Sequence, residues 1–300
     1  MAVSSTHLFP PTTTGVFYNG TRLRRLYVNG SLAYDDEFIN VSMVADANGR
    51  LGFNHYYSKS HYFDFRANGN GINWQWKRTT RNSGWNHWWY GGFKPGLTYI
   101  VSAKILPTDG VNGLLYLSGT SRKMTAIHGW GEHPIYSLHS LFRNTTHDIE
   151  WLPDHLPTGC KQLYMTFDHA QGKLAQISNW DVSGVGDFYG TFGFSAVGAN
   201  IENWNVKSMI SGKYMFYGST FNQNLGNWRP RNATTLKQMM YNTPKNSLCD
   251  LRNWCIPKVP TSDKTYFAHY APWARSPNYH KGDRRFYLSS KMPKFGVTDC

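Results

Sequence analysis

Apolar and polar residues alternate along much of the first third of the chain, and large aromatic residues recur at a nearly fixed interval along much of the rest. Period-two alternation marks half-buried strands. It runs through Phe38-Ile39-Asn40-Val41-Ser42-Met43-Val44, Tyr62-Phe63-Asp64-Phe65 and Ile72-Asn73-Trp74-Gln75-Trp76, with a further strand over 99–105. Asp46-Ala47-Asn48-Gly49 reads as a turn. Earlier, Asn19-Gly20 and Asn29-Gly30 separate β-prone runs, and Asn-Gly suits the type I′ turn, which needs positive φ at both central residues. These signals predict a three-stranded meander and then a β-sandwich, together filling residues 15–106. Residues 1–14, rich in Pro, Thr and Ser, read as an extended arm. Leu106-Pro107-Thr108-Asp109-Gly110 is the expected domain boundary.

From about residue 111 the pattern becomes a repeat. Asn-Trp occurs at Trp180, Trp204, Trp228 and Trp254, with spacings of 24, 24 and 26 residues. Weaker copies fall at Trp130 and Trp151. Twelve residues beyond each Trp stand Phe142, Leu163, Phe192, Phe216, Met240 and Tyr266, all large and apolar or aromatic. A unit this short cannot bury its own apolar face, so equivalent units must stack. The expectation over 111–272 is a solenoid of five or six coils with two interior ladders, the Trp positions and the Trp+12 positions. The Asn before each Trp is expected to bond the turn backbone of an adjacent coil. Residues 273–300 leave the pattern and serve as a terminal cap or docking tail.

Phe221-Asn222-Gln223-Asn224-Leu225-Gly226-Asn227-Trp228 resembles the repeat of the BspA-like leucine-rich-repeat (DUF285) surface proteins. Tyr214-Met215-Phe216-Tyr217 is similar to its Met-Phe step, and Trp180-Asp181-Val182-Ser183 and Trp204-Asn205-Val206 to its end. The likeness is strongest over 177–230. Over 231–270 it is degraded, with Arg229-Pro230-Arg231 where Asp-Val-Ser is usual. It implies a leucine-rich-repeat-like stack of short strands and turns, in a family that mostly serves binding on bacterial surfaces and occurs in bacteriophage genomes. Two further resemblances lie upstream. Tyr18-Asn19-Gly20 with Leu26-Tyr27-Val28-Asn29-Gly30 resembles an N-terminal module of phage tail and other virion proteins. Phe93-Lys94-Pro95-Gly96-Leu97-Thr98-Tyr99 is similar to the turn before a strand in fibronectin-like sandwiches. The fold expected is mainly β: a meander and sandwich followed by a short leucine-rich-repeat-like solenoid.

Composition sharpens this. Nineteen Tyr, 12 Trp and 28 Gly suit strands, turns and binding surfaces. The net charge of +13 arises from scarce acids as much as from bases, which cluster at Arg22/Arg24/Arg25, Lys77/Arg78/Arg81 and Lys281/Arg284/Arg285. Basic residues spread over the whole chain argue against nucleic acid as partner. No apolar run reaches the ~18 residues of a membrane span, and residues 1–6 lack the basic start and apolar core of a signal peptide. Cys160, Cys249, Cys255 and Cys300 match no zinc spacing, and reduced thiols are expected ahead of a Cys249–Cys255 bond.

Candidate chemistry is sparse. H-E-x-x-H, G-x-S-x-G and Walker A motifs are absent. His128, His133 and His139 match no metal spacing, and nothing local fixes Asp148, Glu150 and Asp154 as a glycosidase pair. No enzyme, cofactor or metal is expected. Trp85, His87, Trp88, Trp89 and Tyr90 form an aromatic strand whose residues cannot all enter one core, so they are candidate glycan or subunit contacts. Tyr189, Tyr217, Asn222 and Asn224 are candidates on the repeat. With the resemblances, this implies a bacteriophage virion protein assembled in the host cytoplasm. The expected role is a tail-fibre or baseplate adhesin binding host glycan or protein through the repeat. Other virion proteins would hold its N-terminal part, in a homo-oligomeric assembly. A capsid decoration protein and a polysaccharide-degrading tailspike are the alternatives.

Overall fold

The computed structural model describes residues 16–18, 21–23, 25–28, 31–35, 37–73, 77–110, 113–118, 124–145, 148–172, 174–243, 250–271 and 292–296. The N-terminal arm over 1–14 and nearly all of the tail over 273–300 lie outside them. Strands β1 (Val16–Tyr18) and β2 (Thr21–Leu23) pair antiparallel with Tyr18 opposite Thr21. Strands β3 (Arg25–Val28) and β4 (Ser31–Asp35) pair with Val28 opposite Ser31. Both registers leave only Asn-Gly between the strands. The result is two separate two-stranded sheets rather than one three-stranded meander.

The next strands are β5 (Ile39–Val44), β6 (Leu51–Tyr57), β7 (His61–Gly69), β8 (Ile72–Asn73), β9 (Lys77–Arg81), β10 (Gly84–Tyr90) and β11 (Thr98–Pro107). They are followed by β12 (Leu115–Ser118) and β13 (Met124–Trp130). One sheet runs β10-β6-β12 and a larger one β13-β5-β11-β7-β8, with β9 also on β7. Alternation in β6 and β7 sends Phe53, His55 and Tyr57 toward His61, Phe63 and Phe65, all buried. The sheets meet through these rings: Phe53 lies 5.9 Å from Phe63, and Trp88 of β10 stacks on Phe63 at 4.2 Å. The turn before β11 is locked by the Lys94 amide donating to the Tyr99 hydroxyl at 3.0 Å.

Strands β12 and β13 correct the expected boundary near residue 110. They complete the two sheets by pairing with β6 and β5. Trp130 is therefore a strand residue opposite Ile39, not a rung of the repeat.

Beyond Trp130 successive turns stack in parallel. Single bridges link Ser137, Gln162, Asp187, Ser211 and Thr235 in series, and Ser137 also bridges back to Tyr116 of β12. After each bridge residue the amides of one turn donate to carbonyls of the next: Leu138 to Gln162, Leu163 to Asp187, Phe188 to Ser211 and Gly212 to Thr235. The same step recurs four residues on, from Phe142 to Thr166, Phe167 to Thr191, Phe192 to Met215 and Phe216 to Met239. Short parallel pairs join β14 (Gln171–Gly172) to β15 (Ala196–Val197) and β16 (Cys255–Ile256) to β17 (Lys294–Phe295). A 3₁₀ turn over Ala175–Asn179 and helix α1 (Thr261–Phe267) are the helical elements among the described residues, so the chain is mainly β with almost no helix.

Two aromatic ladders fill the interior. Phe142, Phe167, Phe192 and Phe216 stack at 5.8, 5.4 and 5.7 Å with planes within 6°. Trp204, Trp228 and Trp254 stack at 6.4 and 6.1 Å. Each indole N–H donates to a carbonyl of the preceding turn: Trp180 to Pro153, Trp204 to Ile177, Trp228 to Ile201 and Trp254 to Leu225. The Asn before each Trp is exposed. Asn200, Asn224 and Asp250 make the turn bonds instead, each accepting from the amide two residues on.

Three expected core positions are corrected. Trp151 is half-buried and bridges Ala126, and the position 24 residues before Trp180 is Leu156. Leu163 is buried but sits on the Leu138 rung, four residues short of Phe167. Tyr266 is exposed, because α1 turns Phe267 inward in its place. Met240 is buried as expected, its amide donating to the Phe267 carbonyl.

The bottom rung lacks a following turn of the same form, and Asp263 fills that role. Its carboxylate accepts from the Leu236 amide and the Thr235 hydroxyl, each at 3.0 Å, where the next turn's carbonyl would stand. Cys255 is disulfide-bonded, against the expectation of reduced thiols, and its partner lies outside the described residues. Cys160 is free and buried.

Candidate functional site

The stacking that builds the interior also lays two aromatic rows on the surface. Each turn carries left-handed residues at two positions four apart: Ser140, Met165, Gly190, Tyr214 and Gln238 in one series, Asn144, His169, Phe194, Gly218 and Asn242 in the other. Positive φ is costly for side-chain-bearing residues. Here it aims amides of the turn at carbonyls of the next one: Met165 to Tyr189, His169 to Gly193 and Phe194 to Tyr217.

The first row is His139, Tyr164, Tyr189 and Tyr214. His139 and Tyr164 stack at 4.8 Å, and Tyr164 and Tyr189 at 4.7 Å, with planes within 8°. Tyr214 is turned 81° to Tyr189, and Lys213 Nζ lies over both rings at 5.6 and 4.9 Å. The row continues onto the small sheet, where Trp85, 47% exposed, packs at 5.4 Å on His139. The second row is His169, Phe194, Tyr217, Tyr241 and His269. Rings stacked in parallel hide one another's faces and present edges and hydroxyls. Phe194 breaks the pattern: it meets His169 at 30° and Tyr217 at 61° and is 50% exposed.

Between the rows lies a groove of 380 Å³ lined by Tyr189, Tyr214, Phe194 and Tyr217, with Met165 and Gln238 along it. Glycine deepens it. A Cβ at Gly193 would stand 2.8 Å from Asp168 Oδ1, and one at Gly218 would stand 2.7 Å from Phe194 Cδ1. At one end Asp168, buried at 6%, accepts from Arg143 Nε at 2.8 Å and from His169 Nδ1 at 3.0 Å. The carboxylate is thus matched by two donors. Arg143 is 44% exposed in its side chain, and its terminal amino groups make no hydrogen bond among the described residues.

The groove contains Tyr189 and Tyr217 of the candidates read from sequence. Asn222 and Asn224 lie elsewhere, and Asn224 is occupied as a turn acceptor for Gly226. On β10 the aromatic residues divide by face. Trp85, His87 and Trp89 are exposed, with His87 bonded to Asn54 and Arg50 over Trp89. Trp88 is buried between the sheets and Tyr90 stacks on Phe65 at 4.5 Å, so core packing accounts for both. The basic cluster on β9 is spoken for: Arg78 forks onto Asp64 at 2.7 Å, Arg81 covers Trp88 and Lys77 covers Tyr90. Residues 281–285 lie outside the described residues. Sequence reading missed Tyr164, Tyr214, Phe194, Met165, Asp168 and Arg143. The 25-residue spacing of Tyr164, Tyr189 and Tyr214 is a signal that finds the first row.

Several other titratable groups are held by their neighbours. His61 Nδ1 donates to the Lys59 carbonyl at 3.0 Å, so its Nε2 accepts from His55 Nε2 at 2.7 Å. Burial, with His61 nearby, pushes the His55 pKa down to about 3, and burial pushes His128 down to about 4. His128 meets Ser42 at 2.7 Å and His133 accepts from Tyr57 at 3.0 Å. Asp148 and Glu150 are exposed, and Asp154 pairs with His155. Among the described residues no three His, Cys, Asp or Glu side chains converge to hold a metal, and no helix is long and apolar enough to cross a membrane.

Residues 161–276 match the family model described as "Mycoplasma protein of unknown function, DUF285". The stacked-turn region is therefore similar to that repeat family, and the match lies wholly outside the N-terminal hairpins. No curated protein and no solved structure matches the chain.

Proposed function

We propose that this protein is a non-enzymatic adhesin of a bacteriophage particle, a tail-fibre or baseplate component whose repeat domain binds glycan on the host surface. The stacked turns are read as a short leucine-rich-repeat-like solenoid with α1 and Asp263 closing its last coil. The observation that carries the binding role is the groove between the two aromatic rows. Sugars present C–H faces and hydroxyl edges together, and the groove offers Phe194 for the first and the hydroxyls of Tyr189, Tyr214 and Tyr217 for the second. Across its rungs it extends roughly 20 Å at the ~4.8 Å spacing of paired backbones, which suits an extended oligosaccharide.

The virion placement rests on the N-terminal resemblance and is an argument by analogy. Gold-labelled antibody against residues 111–300, viewed on intact particles, tests it. Label confined to the tail tip supports adhesion. Label over the whole head makes the protein a capsid decoration, and no label on any particle ends the virion reading. An excess of purified protein should also block particle adsorption to host cells. Cleavage of host polysaccharide by the purified chain would move the reading to a tailspike.

A further inference from the structure

We infer that the groove takes an acidic oligosaccharide, one bearing carboxylates, and that Arg143 is the residue that distinguishes it from a neutral one. The inference rests on the glycan reading of the groove and deepens it. Two observations carry it. Asp168 is buried at the groove's end and is already met by Arg143 Nε and His169 Nδ1, so its charge is neutralised before any ligand arrives. That contact uses the Nε of the guanidinium, leaving the terminal amino groups without a hydrogen bond among the described residues. A guanidinium held this way presents paired donors at the spacing of a carboxylate's two oxygens.

His169 adds to the preference. Its Nδ1 is bound to Asp168 and its ring packs on Phe194 at 4.6 Å, so the imidazole stands between the anchoring carboxylate and the exposed apolar ring. A sugar lying on Phe194 would bring its carboxylate toward this end of the groove. Lys213, beside the groove rather than in its lining, sits over Tyr189 and Tyr214 and supplies a second cation nearby. Asp168 is the one carboxylate in the lining among the described residues. With Asp168 matched by Arg143, Lys213 leaves the balance of these three groups positive, in keeping with a chain of net charge +13.

The test uses a panel of oligosaccharides containing uronic or sialic acids, each measured beside its methyl ester, by calorimetric titration of the full chain at low salt. Esterification removes the charge and keeps the ring. The expected result is that at least one acid binds roughly tenfold or more tightly than its ester, the worth of a charge-assisted hydrogen-bond pair, and that the gap narrows as salt is raised. Arg143→Gln should bring the acid-to-ester ratio close to one, and Arg143→Lys should restore part of it. A misfolded variant loses both ligands together and leaves no ratio, so a structural role is distinguished from recognition. Equal binding of acid and ester by the unaltered chain overturns this inference and leaves the glycan reading in place. A ratio unmoved by Arg143→Gln overturns the role of Arg143. Failure of every acid and every ester to bind overturns both the inference and the glycan reading.

Discussion

Replacing Asp263 with alanine should open the stack from its C-terminal end. The Leu236 side chain is fully buried, and its amide donates to Asp263 Oδ2 at 3.0 Å, as does the Thr235 hydroxyl. Every earlier rung sends the equivalent amide to a backbone carbonyl of the following turn. Hydrogen bonds to a charged acceptor contribute about 1.5–3 kcal/mol, and an orphaned buried donor costs about as much. The two bonds share one oxygen and are not additive, so we expect a loss of about 3 kcal/mol for Asp263→Ala. Asp263→Asn keeps an acceptor and should lose about half of that. Stacked turns contact mainly their neighbours, which makes the damage local. Denaturant unfolding gives the total, and hydrogen exchange read by mass spectrometry gives the place. Protection should fall first over 235–243 and persist over 138–170. A loss under about 1 kcal/mol, or an even loss of protection over all turns, would refute the capping role.

Three further outcomes are expected. Trp228→Phe deletes the indole N–H that meets the Ile201 carbonyl at 3.0 Å and thins the Trp ladder; denaturant midpoints should show a loss of about 2–3 kcal/mol, and a loss below 1 would mean the ladder carries little of the stability. His55 and His128 are kept neutral by burial, their pKa lowered from 6.5 to about 3 and about 4, so below pH 6.5 the unfolded chain binds more protons than the folded one. Stability should be full above that pH and fall on acidification toward pH 4 by about 1.4 kcal/mol per pH unit for each group; equal midpoints at pH 7 and pH 5 would contradict this. Gly218→Ala places a Cβ where Phe194 now lies, at a backbone φ of +64°; melting should show a cost of about 1–2 kcal/mol, and glycan binding should weaken more than stability does.

Much of the repeat is legible in the sequence because its buried indoles recur at one position of the turn. Trp180, Trp204, Trp228 and Trp254 keep one environment, so their period survives in the letters. A fixed count of twelve from each Trp then drifts. The bridge residues advance by 25, 25, 24 and 24 and α1 replaces the turn form at the end, so Tyr266 falls outside, while Leu163 is misplaced because the count began at Trp151, which is no rung. Trp130 and Trp151 mislead for another reason. Strand β13 belongs to β5, about 85 residues earlier, and local pattern carries no record of so distant a pairing. Within the sheets, alternation locates β5, β7 and β11, while the aromatic run of β10 yields its two faces only when β6 and β7 are in place. The groove is the least legible feature. Its polar anchor joins Arg143 of one turn to Asp168 of the next, 25 residues apart, and Gly190 and Gly193 in its lining are marked by no side-chain pattern.

The most direct test of the account is calorimetric titration of the full chain with purified host-surface polysaccharide, beside the double variant Phe194→Ala, Tyr217→Ala. Both side chains line the groove, and Phe194 is largely outside the core. The account predicts saturable binding by the unaltered chain and a loss of roughly tenfold or more in the variant, the worth of one or two stacking contacts, with little change in melting temperature. Binding that is unchanged in the variant, or no binding by either, would contradict the groove as the site where this protein meets its host.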